Sequence, residues 1–243
     1  MKIAFSLFLV LLISPIVLAQ SQPEAYKIGE YDRIGIGCEE YGRIADFGQK
    51  IIQQKGSRGL IVVYSGDNKQ RFGNVLAYIS GVKSYFLERR MPPEKVSFII
   101  AEGKNLFNEE FWIIPENAKF PAIKPFSFDW SKLDVKYHFS TACFRCEPTY
   151  PEFTDFQAGL DSYAEVLRAN PQHQGLIVAN NYAELGQIRK WLVEDYKLPR
   201  RRFTIIVPKK KAEDSAAVDF YIVPQAEVSK TTSAKLSTPK TKN

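Results

Sequence analysis

The chain of 243 residues contains one unit of sequence twice. Three apolar segments recur in the same order: GLIVV (59–63) as GLIVA (175–179), Ile99-Ile100 as Ile205-Ile206, and FWIIP (111–115) as FYIVP (220–224). Between them, Tyr85–Pro93 matches Trp191–Pro199. Single matches between apolar strands arise by chance, but three in one order indicate an internal duplication. We therefore expect two domains of the same architecture.

Apolar residues spaced three and four apart predict two helices in each unit, because this spacing places them on one helix face. The first helix of each unit is predicted from Ile44, Phe47 and Ile51, and from Leu160, Tyr163 and Leu167. The second helix is predicted from Val75, Ile79, Val82 and Phe86, and from Leu185, Ile188 and Leu192.

Strands surround these helices. The runs GLIVV and GLIVA are apolar without alternation, which is typical of a central strand. Each unit is predicted to end in two strands joined as a hairpin: Val96–Ala101 with Glu110–Ile114, and Phe203–Val207 with Val218–Val223. A strand before the first helix is predicted in Tyr31–Gly37 and in Val135–Thr141. The fold class is thus α/β, an α+β sandwich of two tandem β-α-β-α-β-β domains, each a mixed sheet with two helices on one face.

The predicted boundaries begin with a signal peptide over residues 1–19, which has one positive charge, an apolar core and Val17-Leu18-Ala19 before Gln20. An N-terminal membrane anchor is the competing interpretation, although Ser14-Pro15 interrupts the apolar run. Residues 24–118 form the first repeat, 119–131 a linker with Phe126, Phe128 and Trp130, 132–226 the second repeat, and 227–243 a disordered basic tail. We expect an exported protein with no transmembrane span after cleavage.

The net charge of +6 does not indicate a nucleic-acid partner. Lys2 belongs to the leader, and residues 225–243 carry four lysines against one glutamate, so the folded part is nearly neutral. A nucleic-acid-binding domain shows a clustered basic face. The basic runs 200–202 and 209–211 flank one strand of the second unit and are interpreted as a solvated hairpin end. The alternative is a cationic rim for acidic glycan or lipid headgroups.

Three phrases resemble the OmpA-like domains, the C-terminal domain family of outer membrane protein A. They are VKYHFSTA at the start of a strand (135–142), LDSYAEVLRANP in the first helix of the second unit (160–171), and VKSYFL at the end of the second helix (82–87), before PEKV (93–96). The resemblance covers both repeats. It implies a module of the periplasm or outer envelope, associated with the outer membrane, that binds peptidoglycan without covalent attachment.

The resemblance also implies a binding site, formed by an Asp shortly after the second strand and an Arg on the second helix. Asp67, with Asn68 beside it, occupies the place of the Asp. Where the family's Arg is expected this chain has Ala77-Tyr78-Ile79, and only Arg71 or Lys83 provides a nearby cation. Because Lys does not reproduce a bidentate Arg–carboxylate pair, affinity should be weak. The second repeat has neither residue in Ala179–Tyr182, so we expect no such site there.

Cys38, Cys143 and Cys146 are an odd number of cysteines for an exported chain. Cys143-Phe144-Arg145-Cys146 has the C-x-x-C spacing of thiol oxidoreductases. A bridge between these two would close a loop of about four residues, whereas a bridge from Cys38 to either closes over roughly 100 residues and is worth about 4.7 kcal/mol. The sequence leaves these pairings open.

His138 and His173 have no companions at metal-ligand spacing, so neither a metal nor a cofactor is expected. No motif for phosphate binding or nucleophilic catalysis is present either. The sequence therefore predicts a non-enzymatic envelope protein for binding or scaffolding, with weak peptidoglycan association through the first repeat. Peptidoglycan or another envelope component is the expected partner. The alternatives are a secreted thiol-disulfide oxidoreductase using Cys143 and Cys146, and a protein–protein adaptor.

Overall fold

A computed structural model describes residues 23–31, 38–65, 72–103, 108–143, 154–179, 182–208 and 217–224. Nine strands and four helices occur in these ranges. In chain order they are β1 (Tyr26–Tyr31), α1 (Cys38–Gln53), β2 (Arg58–Tyr64), α2 (Phe72–Glu88), β3 (Val96–Ala101), β4 (Glu109–Ile114), β5 (Tyr137–Cys143), β6 (Thr154–Asp155), α3 (Phe156–Ala169), β7 (His173–Ala179), α4 (Tyr182–Lys190), β8 (Phe203–Ile206) and β9 (Ala217–Pro224). A π-helical turn, Trp191–Asp195, extends α4.

The strands form two mixed sheets of the same topology. The first has the order β1-β4-β2-β3, and the second has the order β6-β5-β9-β7-β8, which is the same arrangement with β6 added at one edge. In each sheet the GLIV strand lies inside and pairs parallel to one neighbour and antiparallel to the other. We call the units around these sheets lobe one (β1–β4, α1, α2) and lobe two (β5–β9, α3, α4). The predicted fold class is confirmed.

The predicted hairpins are wrong. The last strand of each unit does not pair with the strand before it. Instead, β4 lies between β1 and β2, and β9 lies between β5 and β7. The reason is that β3 and β8 run parallel to the central strand at the sheet edge, and the last strand fills the position on its other side. Polar loops favour a hairpin locally, but the buried partner of an apolar strand is decided by the whole sheet.

The two sheets also share their register. Gly59 pairs with Ile113 in lobe one, and Gly175 pairs with Ile222 in lobe two. The first strand of each sheet has an irregularity at the same place, between Lys27 and Gly29 and between His138 and Ser140. Such a bulge bends a strand and is a specific feature of a fold. Its repetition supports the duplication that the sequence predicts.

Two helices cover one face of each sheet, as the apolar spacing predicts. In lobe one the apolar residues of α1 and α2 bury Ile61, Val63, Phe111 and Ile113 in one core. The central glycine permits this packing, because a Cβ on Gly59 would lie closer than 3.0 Å to Phe47. Gly175 meets Tyr163 of α3 in the same way. A small residue here lets an aromatic ring lie directly on the strand.

The opposite faces of the two sheets differ. In lobe one the chain that follows β4 crosses the sheet and forms a second core with Leu60, Val62 and Ile114. Pro125 bridges to Ala101 there, and the Phe126 N–H donates to the Ile100 carbonyl at 2.7 Å. The corresponding face of lobe two stays partly exposed, with Ile206 40% accessible.

Helix α2 of lobe one contacts both lobes, since it packs on the first sheet and also along α3. At its first residue, the Phe72 ring joins the core of lobe two, and the Phe72 N–H donates to the Tyr137 hydroxyl at 3.2 Å. The next residue is a glycine because there is no space for a side chain: a Cβ on Gly73 would lie closer than 3.0 Å to the Phe139 carbonyl of β5. The lobes are therefore in direct contact through a helix and a strand.

The linker aromatics complete this contact. Phe128 has its ring centroid 5.6 Å from Phe72, 4.4 Å from Trp130 and 5.1 Å from Tyr137. Phe126 meets the same Phe72 ring at 5.4 Å. These rings fill the junction of the lobes.

A strand, Tyr26–Tyr31, precedes α1, but residues 32–37 of the strand predicted over Tyr31–Gly37 lie outside the described part of the chain, so that prediction stays untested there. His173 begins β7, where it is buried and its ring Nε2 lies 2.6 Å from the Trp130 carbonyl. Within the described ranges no helix has the length and apolar character needed to cross a membrane.

Candidate functional site

A groove of about 770 Å³ opens where α1, α2 and the start of α3 meet. Helix α1 contributes Tyr41 and Gly42, and α2 contributes Gly81 and Tyr85. Because Gly42 and Gly81 have no side chains, they leave the groove open at these positions. A Cβ on Gly42 would have nothing within 4 Å, and one on Gly81 would reach only Ala158 of α3, at 3.6 Å. This volume lies within the usual range of ligand pockets.

Two stacked tyrosines form the aromatic surface of the groove. The Tyr41 and Tyr85 rings have centroids 4.8 Å apart and planes 25° apart. The Arg89 guanidinium lies over the Tyr85 ring at 5.3 Å, a cation–π contact. Tyr41 keeps 38% of its surface exposed. An aromatic pair held in this way is a rigid platform for a ligand.

Carboxylates lie beside this platform. Glu88 is the last residue of α2, and Asp155 caps α3 by accepting a hydrogen bond from the Ala158 N–H at 2.9 Å. Burial raises the pKa of the Tyr41 hydroxyl, and the negative charges of Asp155 and Glu88 raise it further. Both carboxylates line the same groove as Tyr41.

A second polar cluster is buried inside lobe one. The Tyr78 hydroxyl of α2 lies within hydrogen-bond distance of two carboxyl groups, those of Glu40 (2.7 Å) and Glu109. Arg43 forms an ion pair with Glu40, and its guanidinium lies over the Tyr31 ring at 4.3 Å. Glu109 is fully buried, and its Oε1 has no hydrogen-bond partner among the described residues.

This geometry requires a proton on one carboxyl group. One hydroxyl donates only one hydrogen bond, so Tyr78 satisfies one carboxylate and must accept from the other group. Arg43 forms its ion pair with Glu40 and not with Glu109, so we assign the proton to Glu109. Burial raises the pKa of Glu109 to about 8, and the neighbouring charge of Glu40 adds to this shift. The cluster is enclosed, so we interpret it as a titratable part of the core.

Most residues of the sequence-predicted site lie outside the described part of the chain. Asp67, Asn68 and Arg71 fall in 66–71, between β2 and α2, so their roles stay predictions. Lys83 is described: it lines a smaller groove between α2 and α3, and its ammonium lies 5.6 Å from the centre of the Phe98 ring.

The cysteine predictions are likewise untested. Cys38 begins α1 and Cys143 ends β5, but their side chains, like the whole of Cys146, lie outside what the structure describes. Among the described residues no group of three or more His, Cys, Asp or Glu side chains is placed to hold a metal ion.

Comparison with protein families and curated proteins adds no relative: no family model matches the chain, and no curated protein is significantly similar to it.

Little in the sequence indicates the groove. Tyr41 and Tyr85 lie on or beside apolar helix stripes, where an aromatic residue is ordinarily part of a core. The better signal was a pair of glycines within helices, Gly42 and Gly81, since glycine costs about 1 kcal/mol relative to alanine there. A glycine inside a helix therefore indicates either a neighbouring element that packs closely against it or a groove wall without a side chain.

Proposed function

We propose that this protein is an exported, non-enzymatic binding and scaffolding protein of the cell envelope, located in the periplasm or at the outer membrane. The leader supports export, and the OmpA-like phrases favour an envelope partner. The observation that carries the proposal is the groove between the lobes, with its stacked tyrosines. It provides a second binding surface besides the weak peptidoglycan site expected around Asp67 in the first repeat.

The contacts between the lobes fix the relative positions of the helices that form the groove. The α2–α3 packing, the Gly73 contact and the linker aromatics join lobe one to lobe two on either side of the site. Rigid elements position a binding surface better than loops do. This suits a scaffold protein, which binds its ligand without catalysing a reaction.

The test is a pull-down of the mature chain on purified sacculi. We expect the wild-type protein to sediment with them, and the double variant Tyr41→Ala, Tyr85→Ala to lose most of the bound fraction. Tyr26→Ala is the matched control, because Tyr26 is also an exposed tyrosine and its hydroxyl is hydrogen-bonded to Gln54, away from the residues that line the groove. Asp67→Ala tests the other surface, since Asp67 belongs to the site implied by the resemblance. Absence of wild-type binding would contradict the proposal, and full binding by the double variant would remove the groove from it.

A further inference from the structure

The sheet of lobe one shows how this fold covers its parallel edge strand. Strand β3 lies at the edge, and the chain that follows β4 runs antiparallel beside it, with Pro125 bridged to Ala101. The Phe126 N–H donates to the Ile100 carbonyl at 2.7 Å. The same segment packs on the adjoining sheet face, where Leu60 is fully buried. One extended segment thus completes both the edge and the face.

The corresponding edge of lobe two has no such cover among the described residues. Strand β8 takes the place of β3, because the two strands pair with their central strands in the same register. Leu176, which corresponds to Leu60, is only partly buried, and Ile206 is 40% accessible. By the same register Val207 corresponds to Ile100, and no other described segment donates a hydrogen bond to it.

The backbone of β8 therefore offers free hydrogen-bonding groups at this edge. Backbone groups point alternately to the two sides of a strand. Ile205 lies two residues before Val207, so its N–H and C=O are directed to the same open side. An edge of this kind is a template for pairing with another extended chain.

The tail of the chain is poorly suited to cover this edge. In lobe one the covering segment packs Ala118 and Ile123 on the sheet. When the two repeats are aligned at their last strands, the corresponding positions are Glu227 and Thr232. Burial of a polar or charged side chain on an apolar face is unfavourable. The strand that completes β8 is therefore expected from another molecule.

A basic pocket of about 270 Å³ lies along β8. It is lined by one residue of α4 and four residues in or before β8: Arg189, Arg200, Phe203, Thr204 and Ile205. The two arginines are exposed, and no acidic side chain of the described residues lines the pocket. A second copy of this edge would bring the same cations together, and like charges on facing strands are destabilising. An acidic segment would instead form charge-assisted hydrogen bonds with the arginines.

We propose that β8 binds an extended, acidic peptide segment of a partner protein, which adds to the second sheet as an antiparallel strand. Side chains alternate along a strand, so acidic side chains on one face reach Arg189 and Arg200 while apolar ones on the other cover Ile206. Such strand addition takes its affinity from main-chain hydrogen bonds and its specificity from alternate side chains. The proposal concerns a different surface from the groove and goes beyond the function proposed above.

The experiment is fluorescence anisotropy of the full mature chain with a fluorescein-labelled peptide of alternating glutamate and valine. We expect this peptide to bind at least about tenfold more tightly than one with lysine in place of glutamate, because only the former complements the arginines. Methylation of its backbone nitrogens keeps the charge but removes the main-chain donors, so affinity should fall by about tenfold or more. Hydrogen exchange locates the site, since the Ile205 N–H should exchange more slowly when the glutamate peptide is bound.

Charge reversal tests the pocket. Arg189→Glu and Arg200→Glu should each weaken binding of the glutamate peptide by about threefold or more. Lys55→Glu is the control, because it reverses an exposed cation of lobe one that does not line the pocket, and its affinity should equal that of the wild type.

Equal affinities for the glutamate and lysine peptides, or for the methylated and unmethylated ones, would overturn the inference. An unchanged exchange rate at Ile205 would do the same. So would phosphatidylglycerol vesicles that bind the wild type but not the arginine variants while the peptide fails to bind, since the cations would then recognise lipid headgroups. Tyr41→Ala, Tyr85→Ala should leave peptide affinity unchanged. Loss of sacculus binding alone therefore contradicts only the proposed function, and loss of peptide binding alone contradicts only this inference.

Discussion

Replacing Gly73 by alanine tests whether the contact between the lobes is as close as described. The added Cβ would lie closer than 3.0 Å to the Phe139 carbonyl oxygen, a distance that real Cβ atoms essentially never show. Because the neighbour is backbone within β5, it cannot rotate away as a flexible side chain would. Helix α2 would have to move off the strand.

The cost follows from overpacking and helix propensity. Overpacking of a closely packed contact costs about 1–3 kcal/mol. Alanine recovers up to about 1 kcal/mol of helix propensity, less near a helix end. We therefore expect Gly73→Ala to lower the free energy of unfolding by roughly 1–2 kcal/mol, which corresponds to a fall in Tm of about 2–8 °C for a chain of this size.

Gly42→Ala is the matched control, since a Cβ at Gly42 meets nothing within 4 Å. It should stabilise the protein by about 0.5–1 kcal/mol through helix propensity alone. Urea denaturation of both variants gives the comparison. Hydrogen exchange provides a second readout, because the Phe72 N–H bonded to Tyr137 should exchange faster only in Gly73→Ala. If the two variants are equally stable, the described approach of α2 to β5 is incorrect.

Three further predictions concern the core, the junction and the cysteines. Folded Glu109 keeps its proton up to about pH 8, whereas the unfolded chain releases it near pH 4.5, so the free energy of unfolding should fall as pH rises between these values. Glu109→Gln should remove this fall, and equal pH slopes in urea titrations at pH 5 to 8 would contradict the protonation argument. Phe128→Ala should cost about 2 kcal/mol or more, because the ring contacts three aromatic side chains at the lobe junction; an unchanged Tm would count against that packing. For Cys143 and Cys146, we expect the native protein not to reduce insulin; measurable reduction, with both thiols alkylated in the resting protein, would favour the oxidoreductase alternative.

The individual helices and central strands were predictable because their signals are local. The spacing of Ile44, Phe47 and Ile51 places three side chains on one helix face wherever that helix packs. The GLIVV run needs burial, and it becomes the inner strand β2. Repetition of both signals was enough to predict two units of one architecture.

The order of the strands was not predictable in the same way. The insertion of β4 between β1 and β2 joins residues more than eighty positions apart, such as Tyr26 and Ile113. A polar loop predicts only that the chain turns, and the pairing partner depends on which strand edges remain free. The protonated state of Glu109 has the same origin, since a glutamate at a strand end looks exposed until Tyr78 and Glu40 enclose it.

The sequence by itself determined the duplication and the helices and central strands of each unit, because these depend on short-range patterns. Only the tertiary structure brought Tyr41, Tyr85 and Asp155 to one groove. These residues lie on three different helices or their caps, in both lobes, and share no motif. Their proximity depends on the packing of α2 against α3. The close contact of Gly73 with β5 and the packed linker aromatics hold the two lobes together beside it.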